Sequence, residues 1–239
     1  MRKAFLKIIS VIMIVILINS NFPVSDINGL FELEASALIS SDVSMGSNIK
    51  WKYDAKNNIV TVYGSGAMSN FGGVDDPRWD EIYKGTAERP RNKATKIVIE
   101  NGITSIGNNA FGAFKELTTV SIPASVTSIG DGAFRDNAKL TTVTIPAAVT
   151  TISNNTFYGC SSLSSVNIHD KITSIGENAF NGTNITSIDI PNSVISIGNN
   201  AFSEVEIICN FGDSAYTYCQ IHSNVSMRSK IHSRSQPAF

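Results

Sequence analysis

Charge is in short supply. Only 16% of the 239 residues are Asp, Glu, Lys or Arg, and 19 basic residues against 20 acidic ones leave a net charge of −1. Such a balance carries no electrostatic footprint for nucleic acid or for an anionic membrane surface. Histidine is scarcer still, with His169, His222 and His232 as the full set. No HExxH motif contains them, and Cys160, Cys209 and Cys219 form no Cys-x-x-Cys pair, so neither usual zinc spacing is present. Gly64-Ser65-Gly66 is not a G-x-S-x-G nucleophile turn, since Tyr63 and Ala67 stand where that motif has glycine, and it reads as a turn. Asp75, Asp76, Asp80 and Glu81 match no calcium-loop spacing and read as a solvated loop. No catalytic residue, metal site or cofactor is expected.

Long apolar runs are also missing, with one exception. Arg2, Lys3 and Lys7 precede an apolar stretch from Ile8 to Ile18. At about eleven residues that stretch is short for a bilayer span and fits an export signal. The small-x-small site Ala35-Ser36-Ala37 places cleavage after Ala37, so residues 1–37 are read as a signal peptide. The mature chain is expected to be secreted or held at the cell surface, with no membrane insertion. An odd cysteine count in an exported chain permits at most one internal bridge. Cys209 and Cys219 are close enough to close a short loop, and Cys160 reads as a small buried residue.

What the chain does have is repetition. ITSIGNNAF from Ile103, VTSIGDGAF from Val126, VTTISNNTF from Val149, ITSIGENAF from Ile172 and VISIGNNAF from Val194 start 23, 23, 23 and 22 residues apart. The short step coincides with a residue lost between Asn181 and Asn184. A second block alternates with the first: LTTVSIP from Leu117, LTTVTIP from Leu140, LSSVNIH from Leu163 and ITSIDIP from Ile185. A fixed period of this length marks a solenoid, because one repeat cannot bury its own apolar face. Leu117, Val120 and Ile122, with their equivalents in later repeats, are inward columns alternating with polar positions, as in a half-buried strand. The Phe column (Phe111, Phe134, Phe157, Phe180, Phe202) is expected to point inward too. Gly107, Gly130, Gly176 and Gly198 suit a turn with positive φ, so Ser153 in that column predicts a different turn in the third repeat.

LTTVTIP, VTSIGDGAF and above all TFYGCSSLSSVNI resemble the BspA-like leucine-rich repeats found in exported proteins. The resemblance is close from about Ile97 to Phe202. It extends upstream through IKWKYDAKNNIVTVYGSGAM and PRWDEIY, and more weakly downstream through EIICNFGDSAYTYCQIHSN. It implies a mainly β repeat solenoid with a parallel sheet on its concave face. It also implies adhesion or protein binding without catalysis, so the expected partner is a protein or a surface glycan.

The ends read as caps. Trp51, Tyr53, Ile59, Val60, Val62 and Tyr63 flank Asn57-Asn58 as a β-hairpin, and Trp79 is expected to pack on the first repeat. Lys96 to Ile99 aligns with the strands of the array, and Asp213 to His222 reads as a short helix capped by Asp213 or Ser214. The chain therefore divides into a signal (1–37), an N-terminal cap (38–95), an array of about five repeats (96–202), a strand and short-helix cap (203–226) and a disordered tail (227–239).

Three outward columns are expected on the sheet face. They are Lys96, Thr119, Thr142, Ser165 and Ser187; Val98, Ser121, Thr144, Asn167 and Asp189; and Glu100, Pro123, Pro146, His169 and Pro191. Most of these are small hydroxyls or proline. Repeats three and four depart from that pattern, where Asn167, His169, Asp170, Lys171 and Asp189 bring larger polar groups and form the candidate ligand-binding cluster. A structural surface-layer role fits the bland face as well as binding does. An ice- or mineral-binding face would need longer unbroken threonine rows than Thr119, Thr142 and Thr144 supply.

Overall fold

The computed structural model describes residues 45–72, 79, 89–210, 213–222 and 225–229, all within the compact unit Ser41–Phe239. The signal, its cleavage site and the acidic positions Asp75, Asp76, Asp80 and Glu81 lie outside the described residues. The fold begins with the expected hairpin. β1 (Ile49–Asp54) and β2 (Ile59–Gly64) pair antiparallel around a turn in which Asn58 takes φ +56°. The hairpin is a true cap, because β2 continues in parallel register onto β4 (Lys96–Ile99), following a one-turn helix α1 (Pro90–Lys93). The sheet then adds β6 (Thr119–Ser121), β8 (Thr142–Val143) and β10 (Ser165–Val166) in order. β12 (Ser187–Asp189), β14 (Glu206–Cys209) and β15 (Ser226–Ser229) form a separate parallel sheet at the C-terminal end. Met227 to Ser229 are thus a strand paired to β14, a correction to the disordered tail read from their polar sequence. Backbone pairing with a neighbouring strand supplied the order that composition did not disclose.

Each coil also carries a second strand where only a turn was expected. β3 (Gly66–Ala67), β5 (Ile103–Ile106) and β7 (Ser128–Ile129) make one parallel sheet, and β9 (Thr151–Ile152), β11 (Ser174–Ile175) and β13 (Ser196–Ile197) make another. The break between β7 and β9 falls at Ser153. The N–H groups of Gly130, Gly176 and Gly198 donate to the isoleucine carbonyl of the coil before: Ile106 O (2.9 Å), Ile152 O (2.7 Å) and Ile175 O (2.8 Å). In the third coil the Ser153 hydroxyl takes over that bond, to Ile129 O at 2.6 Å. The turn itself keeps the geometry of its neighbours, with Asn155 at φ +55° and Gly159 at φ +70°, so the different turn expected of the third repeat is not found and the change lies in the bond donor.

The reason for the glycine column is corrected. A Cβ on Gly130 would lie 2.4 Å from Asn108 Oδ1 and 2.6 Å from Asn108 N, so close approach between coils is what excludes a side chain. Positive φ falls two residues later, at Asn109, Gly132, Asn155, Asn178 and Asn200. It recurs at Ala113, Asp136, Gly159, Gly182 and Glu204, where Ala113 sits at φ +58°. An alanine pays for its Cβ in that region and a glycine does not. Ala113→Gly is therefore expected to stabilise the fold by about 1 kcal/mol, a rise of roughly 2–4 °C in Tm. A drop in Tm in thermal melts would contradict this account of the turn.

The inward columns pack into one core that runs from the hairpin to the C-terminal cap. Phe111, Phe134, Phe157, Phe180 and Phe202 stack in file, with successive centroids 5.4–5.8 Å apart and planes within 5–14°. Trp79 closes one end of the file, 5.4 Å from Phe111, with its Nε1–H donating to Ala110 O (2.6 Å). Tyr218 closes the other edge-on to Phe202 at 6.0 Å. Tyr218 lies on α2 (Ser214–Ile221), where Asp213 is the N-cap and accepts the Tyr216 N–H at 2.9 Å, the helix and cap expected from sequence.

Candidate binding faces

The surface is built from residues that the coils leave over after stitching themselves together. Thr118 and Thr141 donate to the carbonyls of Thr95 (3.0 Å) and Thr118 (3.4 Å), and Thr127 and Thr173 to those of Thr104 (3.1 Å) and Thr150 (3.2 Å). These hydroxyls serve the scaffold although their residues are exposed. A second ladder runs along the turns after the second strands. There the side-chain oxygen of each coil accepts the N–H of the next: Asn70 from Asn108 (2.8 Å), Asn108 from Asp131 (2.9 Å), Asp131 from Asn154 (3.1 Å) and Asn154 from Glu177 (2.8 Å).

The candidate cluster from the sequence occupies a corner more than a sheet face. Asn167 follows β10 and Asp189 ends β12, and both are exposed, as are Asp170 and Lys171 in the turn between them. The proline column is corrected: Pro146 is buried, and Pro123, His169 and Pro191 are half-buried. Each begins a tight turn whose carbonyl accepts the N–H three residues on, as Pro146 O does from Val149 (2.9 Å) and His169 O from Ile172 (3.0 Å). The column therefore sits where the chain swings from one sheet to the other. The His169 ring is part of that corner. Its Nε2 lies 3.2 Å from Pro146 O, and its Nδ1 accepts the Lys171 N–H at 3.3 Å.

A feature absent from the sequence reading lies on the other sheet. A groove of about 500 Å³ runs over β9, β11 and β13, floored by Thr151, Ser174 and Ser196 and rimmed by Asp131, Asn154 and Glu177. Thr151, Ser174 and Ser196 lie in register across the three strands. Their columns are visible in the sequence, but the sheet they form is not, because its strands are only two residues long. A smaller hollow of about 380 Å³ opens around Gly182, Asn184 and Glu204, at the repeat that is one residue short.

The cysteines are all in the thiol form. Cys209 is buried in β14, whereas the Cys219 thiol on α2 turns towards Ser226 O (3.9 Å), so the bridge allowed by their spacing is not made. Cys160 is the small buried residue expected: its thiol donates to Phe134 O at 3.1 Å, and burial pushes its pKa up to about 12. Among the described residues no group of three or more His, Cys, Asp or Glu is placed to hold a metal, and no helix is long and apolar enough to cross a membrane.

Two stacked rows of short parallel strands, one apolar file and a period of 23 residues define a leucine-rich repeat solenoid. Residues 89–209 match the BspA type leucine rich repeat region in six copies, and the chain belongs to that family. The chain is similar to the crystal structure of a leucine-rich repeat protein from Bacteroides ovatus, with 28% identity over 68% of this chain and 39% of that one, at a TM-score of 0.47. It is similar to a leucine rich cell surface protein from Faecalibacterium prausnitzii, with 25% identity over 70% of this chain and 54% of that one, at a TM-score of 0.44. A third similarity is to the pneumococcal vaccine antigen PcpA, at 16% identity over 70% of this chain and 48% of that one, with a TM-score of 0.40. The chain thus spans 39% and 54% of the length of the first two. Among curated proteins none matches it.

Proposed function

We propose that this chain is an exported, non-catalytic binding protein that uses the solenoid surface to hold a protein partner outside the cell. The observation that carries the reading is the change along the exposed columns from small hydroxyls to the larger exposed groups Asn167, Asp170, Lys171 and Asp189. The scaffold folds with small hydroxyls or proline at most of these positions in other coils, and such departures supply specificity in repeat proteins. The N-terminal apolar segment supports export, and membership of the repeat family supports binding.

The test is capture of a partner from extracellular or host-surface extract by residues 38–239. Asn167→Ala, Asp170→Ala, Lys171→Ala and Asp189→Ala are combined in one variant, with His169 kept because its ring braces the corner. The variant is expected to retain the wild-type melting curve and to lose at least about tenfold in affinity, the scale set by a few truncated contacts. Undiminished capture by the folded variant sinks the corner as a binding site.

A further inference from the structure

We propose that the groove over β9, β11 and β13 docks an extended polypeptide segment in which lysine or arginine residues lie beside an apolar side chain. The inference rests on the binding role above and adds to it a second surface and a partner chemistry.

Charge is the first argument. Asp131 and Glu177 stand on the rim, and neither Lys nor Arg lines the groove. Complementary charge selects partners and register, and here it selects a cation. The two carboxylates belong to the turns after β7 and β11, two rungs apart, a separation of roughly 10 Å. A segment in the extended polyproline II form advances about 3.1 Å per residue with three residues per turn, so cations three residues apart lie on one side about 9 Å apart and match both. Between the carboxylates the floor is Thr151, Ser174 and Ser196, small enough for a main chain to lie close.

The second argument is Ile195. Its column otherwise holds Thr104, Thr127, Thr150 and Thr173, and its own N–H bonds to Thr173 O (2.9 Å) like the rest of the ladder. Four coils fold with threonine there, so the coil does not require isoleucine. Yet Ile195 is 78% exposed, just outside the lining of the groove and one residue before Ser196, which lines it. An apolar side chain held in water beside an acidic groove is an anchor for an apolar group next to a cation.

The experiment uses residues 38–239 and three fluorescein-labelled ten-residue peptides, read by fluorescence anisotropy at low and physiological salt. One peptide has lysine at every third position with isoleucine beside it; the others replace the lysines with glutamate or serine. Saturable binding of the lysine peptide alone, weakened by salt, is expected. Asp131→Asn with Glu177→Gln should weaken it at least tenfold, and Ile195→Thr several-fold. Asn and Thr already occupy the columns of Asp131 and Ile195 in other coils, and Gln at the exposed position 177 keeps the size of Glu, so the substitutions keep the fold. The four-residue corner variant should bind the peptide like wild type.

No saturable binding of the lysine peptide, equal binding of the glutamate or serine peptide, or indifference to the groove substitutions each overturns the proposal. If wild type captures a partner from extract through the corner yet ignores the lysine peptide, the groove falls and the binding role stands. Peptide binding lost only in the groove variants supports the groove whatever the corner does.

Discussion

Phe134→Ala is expected to cost about 3–5 kcal/mol in denaturant titration. The ring is fully buried and sandwiched between Phe111 at 5.5 Å and Phe157 at 5.8 Å, with planes 12° and 5° from its own. Truncation removes the transfer energy of the ring and leaves a void whose walls are two other rings. Those rings belong to coils whose spacing is set by strand hydrogen bonds, so the void cannot close by collapse. A solenoid also couples each coil mainly to its neighbours, and the damage at coil two therefore weakens both interfaces. A measured loss below about 1 kcal/mol would place the ring outside the continuous core.

Asn137→Ala is expected to cost about 3 kcal/mol, although it removes only a small polar group. Asn137 is fully buried and ties two coils together. Its Oδ1 accepts the Phe114 N–H at 2.8 Å, and its Nδ2 donates to Phe111 O and Phe134 O, both at 2.9 Å. Alanine would leave an N–H and two carbonyls in the core without that partner, at about 1–3 kcal/mol for each group left unsatisfied. The next coil supplies its own control. Cys160, in the equivalent column, accepts the Asn137 N–H and donates to Phe134 O at 3.1 Å. Asn137→Cys should therefore recover about half of the loss, one bond to each side being restored. Equal stability of the alanine and cysteine variants in chemical denaturation would show that the side chain fills space and does not stitch.

Asn137 also shows where sequence reasoning stops. Its column continues with Cys160 and Thr183, and asparagine beside them reads as one more small residue. Its role depends on two carbonyls and an N–H from 3, 26 and 23 residues away, which converge only once the coils are stacked. The glycine column behaves the same way: composition points to backbone freedom, and the stacked neighbour decides it by contact. Ser153 was legible as a departure, but the hydroxyl bond that explains it was not.

The candidate sites divide similarly. Asn167, Asp170, Lys171 and Asp189 were found as exceptions to a pattern, and the structure leaves them exposed. His169 was found by the same signal and became a corner brace, because its column begins a turn. The groove gave no signal by spacing. Ile195 among four threonines was the one visible trace.

By itself the sequence determined the period, the inward columns, the hairpin with its Asn57-Asn58 turn, and the Asp213 cap of the short helix. Each of these is written in residues that are neighbours or that recur at one fixed interval. The tertiary structure alone decided that each coil carries two strands and not one, that Ser153 divides the second row, that Cys209 and Cys219 remain thiols, and that a groove lies between Asp131 and Glu177. These features arise between coils, through atoms that meet only when one repeat is laid on the next. A periodic sequence names the members of every column, but the distance and direction between columns come from the packing.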